Sequence, residues 1–232
     1  MKNINETVLV IQARLSSQRC PRKMVRPFAG STLLDISIQK VLDSKILPKE
    51  NILVAVHEQE LIDIANKYGV KVYKRSERSA NSEGTPMTEL YEWWDQIPYK
   101  NIVMFNACCT LLDTSTIDEF IKAYMETDAR GLFGVMEKKN YFWDKNGDFI
   151  TNWPDGQAVM NTKTAEVTYE AAHCLYASKL SDIGKGIWMG EFKKDDPELF
   201  VVPEEETFDI DYEWQFNVAE VLYRNKYLGD AK

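Results

Sequence analysis

Long apolar runs are missing from this sequence. None approaches the roughly 20 residues that a membrane-spanning helix needs, and the start, Met1-Lys2-Asn3-Ile4-Asn5-Glu6, has no signal-peptide core. A cytoplasmic protein that touches no membrane is expected. Histidine is scarce at two, and the four cysteines, Cys20, Cys108, Cys109 and Cys174, lack the paired spacing of a zinc site. They read as small buried hydrophobes of a reducing compartment, with a vicinal redox pair at Cys108-Cys109 the lesser alternative. Positive charge is not in excess either: 28 Lys and Arg face 36 Asp and Glu, a net charge of −8. Without a broad basic face, nucleic-acid binding is excluded. Glycine is absent from the first strand and the loop after it until Gly30. That removes both the GxGxxG and the GxxxxGK[ST] phosphate loops, and with them nicotinamide enzymes and P-loop NTPases.

What is present is a globular chain of 232 residues, 44% hydrophobic and 12% aromatic, enough for one large domain. Val8-Leu9-Val10-Ile11 reads as a buried strand. It runs into Gln12-Ala13-Arg14-Leu15-Ser16-Ser17-Gln18-Arg19-Cys20-Pro21-Arg22-Lys23, a loop of four cations and two adjacent hydroxyls. Pro21 keeps that loop from becoming helix at once. A cationic, hydroxyl-bearing loop at the carboxyl end of a strand suits a polyphosphate, and a helix beginning soon after would add its positive end. The competing reading is a solvated, charged surface loop.

Strand and helix patterns then alternate. A helix with a stripe of Leu34, Ile38, Val41 and Leu42 precedes the strand Ile52 to Val56. Helix Glu60 to Tyr68 stops at Gly69, and a short strand covers Val70 to Tyr73. Thr85-Pro86 resemble an N-cap with proline opening a helix through Trp94. Strand Ile102 to Phe105 and helix Thr116 to Glu126 follow. This alternation predicts an α/β fold, a mainly parallel sheet covered on both faces. After strand Leu132 to Met136, residues 137–170 turn polar and aromatic, which suggests an inserted arm of hairpins. His173 to Ala177 is a further core strand, and a helix from about Tyr212 to Asn225 closes the chain. The economical organisation is a single domain over residues 1–232 with that arm.

Near the end stands Phe208-Asp209-Ile210-Asp211. In extended backbone, residues two apart face the same way, so both carboxylates can approach one hard cation. A divalent metal would relieve their repulsion. The alternative makes Asp211 the N-cap of the helix whose amphipathic stripe is Trp214, Val218, Val221 and Leu222.

Ala13-Arg14-x-x-Ser17-x-Arg19-x-Pro21-x-Lys23, then Phe28-Ala29-Gly30-x-x-Leu33, resembles the signature of CMP-acylneuraminate cytidylyltransferases and their 3-deoxy-octulosonate kin. Pro203 to Asp211, followed by Phe216 and Ala219-Glu220, is similar to that family's C-terminal acidic motif. The resemblance implies a three-layer, Rossmann-like nucleotide-sugar transferase fold. It also implies transfer of CMP from CTP to an acidic 2-keto-3-deoxy sugar for surface glycans, with pyrophosphate released. By position, Arg14, Lys23 and Asp211 would be catalytic. Ala13, Arg14, Ser17, Arg19, Lys23, Arg75, Asn81, Ser82 and Asn106 would hold the nucleotide. Asp209 and Asp211 would bind Mg2+, and Asn106, His173 and Tyr176 would meet the acceptor. The family's arm crosses to a partner subunit, which implies a homodimer.

The chain departs from the family at Met24, where an asparagine is usual. It departs again at Asn106-Ala107-Cys108-Cys109-Thr110-Leu111-Leu112, in place of a Gln-Pro-Thr-Ser-Pro-Leu-Arg type segment. Ala172-His173-Cys174-Leu175-Tyr176 stands where the family has Asn-Gly-Ala-Ile-Tyr. These changes fall toward the base and the acceptor, so a different acceptor (3-deoxy-octulosonate, a phosphate or a phosphonate) and a non-catalytic nucleotide-binding scaffold are the alternatives. The residues themselves favour His173 as a satisfied core histidine over an acceptor contact or base. His57 reads as a polar residue at a helix start.

Overall fold

The computed structural model describes residues 2–81 and 83–229. Seven strands form one sheet in the order β3-β2-β1-β4-β6-β5-β7. They are β1 (Thr7–Gln12), β2 (Ile52–Val56), β3 (Lys71–Lys74), β4 (Asn101–Phe105), β5 (Leu132–Lys139), β6 (Val167–Lys179) and β7 (Glu198–Val201). The pairs β1–β2, β1–β4, β2–β3 and β5–β7 are parallel, and β6 enters antiparallel between β4 and β5. The sheet is therefore mixed but mostly parallel, as the alternation of β-branched runs and helical stripes requires. Its central strands are buried on both faces because side chains alternate across the pleat. Leu9, Ile11, Val54 and Val103 pack into one core, and Val8, Val10, Leu53 and Ile102 into the other.

The helices are α1 (Leu33–Leu42), α2 (Gln59–Tyr68), α3 (Glu77–Ala80), α4 (Met87–Leu90), α5 (Thr114–Glu126), α6 (Leu180–Ile183) and α7 (Glu213–Tyr223). Thr32 caps α1, its hydroxyl accepting from the Asp35 amide. α2 ends at Gly69 in the left-handed conformation, φ 62°. Two expectations about helices are corrected. α4 is a single turn followed by a 3-10 turn at Glu92–Asp95, and the Thr85 hydroxyl donates to the Asn81 carbonyl instead of capping it. The Trp214, Val218, Val221 and Leu222 stripe of α7 faces outward, while Phe216 and Ala219 turn into the core.

Residues 140–166 separate β5 from β6. They form one antiparallel bridge, Trp143 to Phe149, around the turn at Asp144 to Asp148. Tyr141, Trp143, Phe149 and Trp153 cluster there, with Trp143 53% exposed.

Candidate active site

Because four strands run parallel, the residues just beyond their carboxyl ends meet at one edge. Gln12 ends β1, His57 follows β2, Arg75 follows β3 and Asn106 follows β4. Three of them line a cleft of about 920 Å³ together with the cationic loop. Ala13, Arg14, Ser17, Arg19, Lys23, Arg75, Asn81 and Asp211, all singled out in the sequence, line this cleft. Ser82 lies outside the described residues.

The cationic loop folds without helix. Arg22 sits at φ 54°, and its amide reaches back to the Leu15 carbonyl. The loop's two ends differ in freedom. Lys23 is buried, its Nζ donating a hydrogen bond to the Ile210 carbonyl and standing 3.7 Å from Asp211 Oδ1. Burial opposes its charge, but Cys108, Asp209 and Asp211 outweigh that cost and raise its pKa. Arg19 is more exposed and pairs with Asp211 at 2.8 Å while lying over the Tyr212 ring. Arg14 Nη1 donates to the Ala80 carbonyl at 3.5 Å.

Asp211 is not a helix cap. Tyr212 holds that position, and the Gln215 side chain accepts from the backbone amides of Asp211 and Tyr212. The Asp211 carboxylate is thereby left to the cleft. Asp209 lies deeper: its Oδ1 is buried without a hydrogen-bond partner among the described residues. Burial first and Asp211 second push its pKa up, against the pull of Lys23, His173 and Asn106. A buried, unpartnered carboxylate oxygen beside a second carboxylate is the donor set a hard divalent cation takes. Mg2+ needs only one or two carboxylates when phosphate oxygens complete its shell. The two carboxylates are compatible with such an ion, although among the described residues no group of three or more His, Cys, Asp or Glu side chains comes together to hold one by protein ligands alone.

Arg75 is placed at the cleft but turned away. Its guanidinium donates to the Ser79 hydroxyl and carbonyl and to the Leu90 carbonyl, and burial lowers its pKa to about 10. Its part is to shape the pocket wall. His173 is also corrected. It is exposed, at φ 53°, where β6 bulges away from β5: Phe133 pairs with Tyr176 but Val135 with Ala171. Gly134 lies beneath the bulge, where a Cβ would come 3.0 Å from the Leu175 carbonyl. Asn106 Nδ2 donates to the His173 carbonyl, and His173 Nδ1 lies 3.2 Å from the Tyr176 hydroxyl. Tyr176 keeps its ring in the core against Phe133 and Trp188 and offers only that hydroxyl.

Sequence reasoning passed over Gln12, Glu58 and Cys108 as lining residues, and left His57 as a helix-start residue only. The signal for Gln12 and His57 was their place at a strand's carboxyl end. Cys108 Sγ stands against Lys23 Nζ, and burial pushes its thiol up to about 11, so it is an unreactive wall.

Comparison with known proteins decides the family. A model described as cytidylyltransferase matches residues 8–179. This chain belongs to the cytidylyltransferase family. The cytidylyltransferase is 22% identical over 237 residues, 97% of each chain, to pseudaminic acid cytidylyltransferase of Campylobacter jejuni. It is 23% identical over 230 residues to N-acylneuraminate cytidylyltransferase A of Danio rerio, covering 96% of this chain and 52% of that one. A solved CMP:2-keto-3-deoxy-manno-octonic acid synthetase complexed with CTP superposes with a TM-score of 0.66. It is 11% identical and covers 95% of this chain and 99% of that chain, which establishes the nucleotide-sugar transferase fold. The cytidylyltransferase is thus a CTP-dependent nucleotidyltransferase with a Rossmann-like, mostly parallel sheet. Among the described residues no helix is long and apolar enough to cross a membrane.

Proposed function

We propose that this cytidylyltransferase transfers CMP from CTP to an acidic 2-keto-3-deoxy sugar of the nonulosonic type, for surface glycans. The observation that carries the reading is the meeting of Lys23, Arg19 and Asp211 in one cleft, from opposite ends of the chain. An oxygen of the acceptor attacks the α-phosphorus, and the bond to the β-phosphate oxygen breaks to release pyrophosphate. Arg14, Arg19, Ser17 and Lys23 would hold the triphosphate and neutralise the charge that builds on the leaving group. Lys23 is the best placed for this, because its ammonium is already held and needs little reordering. Asp209 and Asp211 would hold Mg2+, which supplies charge neutralisation and orients the phosphates. Asn106, His173 and Tyr176 would meet the acceptor, with Ala13 and Asn81 on the nucleotide side.

The full-length match to a pseudaminic acid enzyme supports an acidic nine-carbon acceptor. The exposed aromatic cluster of residues 140–166 supports an arm that packs on a second copy, and four free cysteines suit the reducing cytoplasm.

The test is pyrophosphate release with CTP, Mg2+ and a panel of acidic sugars. Release that requires CTP, an acidic sugar and Mg2+ together bears the reading out. Tight CTP binding without release with any acceptor would make the protein a nucleotide-binding scaffold.

A further inference from the structure

The cleft has two chemically different halves. One end carries Arg19, Lys23 and Asp211, which would take the phosphates, while Arg14, its Nη1 on the Ala80 carbonyl, stands nearer Arg75. A nucleotide anchored there directs its base to the other end, beside Gln12, His57, Glu58, Arg75 and Leu90.

The polar atoms of that second half have fixed roles. Trp93 is fully buried, and its indole Nε1 donates to Gln12 Oε1 at 2.9 Å. An indole N–H only donates, so the amide oxygen of Gln12 must be the atom that faces it. The Gln12 Nε2 group is thereby turned toward the cleft as a pure donor. His57 Nδ1 lies 2.9 Å from the Arg75 carbonyl. A carbonyl only accepts, so Nδ1 carries a proton, and in that tautomer Nε2 is the acceptor. Glu58 Oε1 accepts from the Leu15 amide, and Oε2 finds no partner among the described residues. Arg75 Nε and Nη2 are taken up by Ser79 and Leu90.

One oriented donor flanked by acceptors matches one pyrimidine and not the other. Cytosine presents an amino donor at N4 and acceptors at N3 and O2. Uracil presents an acceptor at O4 and a donor at N3. We propose that Gln12, held by Trp93, is the residue that selects cytosine over uracil, its Nε2 donating to N3 while the His57 and Glu58 side accepts from the amino group. Uracil would set donor against donor and acceptor against acceptor, leaving buried polar groups unpaired. Gln12 touches the base; Trp93 is a positioning residue that acts through it. The inference rests on CTP being the nucleotide this enzyme uses.

The experiment measures Kd for CTP and for UTP, each with Mg2+ and no acceptor, in wild type, Gln12→Glu and Trp93→Phe. The glutamate keeps an oxygen for Trp93 and replaces the donor by an acceptor. Its CTP/UTP preference should fall on the order of 10–100-fold. Trp93→Phe frees the amide to rotate and should lower the same ratio by a few-fold, with the melting temperature reporting any general damage. A general loss of structure weakens both nucleotides alike and leaves the ratio where it was. Should Gln12→Glu fail to fold, Trp93→Phe carries the test by itself. A wild type that prefers CTP, with the ratio unchanged in the folded variants, overturns the role of Gln12. A wild type without preference between CTP and UTP overturns the CTP reading itself, and this inference with it.

Discussion

Lys23 Nζ stands 3.7 Å from Asp211 Oδ1 while donating to the carbonyl of Ile210. One buried ammonium thus joins the loop after the first strand to the acidic segment before the last helix. Its pKa is raised despite burial, so the charge is kept through the neutral range. Asp211 is thus counter-ion to both Lys23 and Arg19.

Asp211→Asn should retain the fold, since Tyr212 and Gln215 make the helix start without the Asp211 carboxylate. Turnover should fall by about 10²–10³ or more. CTP binding measured without Mg2+ should hold or tighten, because a negative charge leaves the phosphate site. Pyrophosphate release and a CTP titration check both halves; near-normal release with unchanged Mg2+ dependence would remove Asp211 from the site.

Lys23→Met should lower kcat/KM for CTP by about 10²–10³, with a smaller effect on binding of the CMP product. Arginine should not rescue it, because the site is a buried point-charge pocket closed by Ile210, Cys108 and Asp211. Steady-state kinetics and product titration separate the two effects.

His173→Gly should affect the acceptor and not the fold. Relief of the left-handed backbone and the added freedom of the unfolded chain offset each other to within about 1 kcal/mol. KM for the acceptor should rise while KM for CTP stays constant. A large drop in melting temperature, or equal effects on both substrates, would count against a contact role.

Lys40 gives a pH signature. Its ammonium donates to the Leu112 carbonyl and to Tyr227 Oη, and burial lowers its pKa to about 8 from 10.5. Between those values the unfolded chain binds the extra proton and the folded chain does not, so this group makes stability rise with pH across that window. Below about 8 both states are protonated and the full burial cost is present. Lys40→Met should flatten the rise, a relative change of up to about 3 kcal/mol between pH 8 and 10.5 in denaturant melts. Parallel profiles for wild type and variant would contradict it.

Much of the fold was legible locally. Val8 to Ile11, Ile52 to Val56 and Ile102 to Phe105 are strands because a short β-branched or apolar run has few other uses in a soluble chain. The outward face of α7 was misjudged, since periodicity identifies a stripe without saying which side meets the core. His173 was misjudged because a bulge and a left-handed backbone leave no periodic trace. Gln12 and His57 were passed over because their chemistry depends on Trp93 and Arg75, which are distant in sequence.

The sequence by itself determined the parallel sheet, the cationic loop and the two aspartates, because each is written in contiguous residues whose spacing the backbone enforces. Tertiary structure alone decided which charges meet, that Arg75 bonds to Ser79 and Leu90, and that the Trp93 indole holds the Gln12 amide oxygen. Those outcomes depend on pairings between strands and loops far apart along the chain, and no local propensity encodes them.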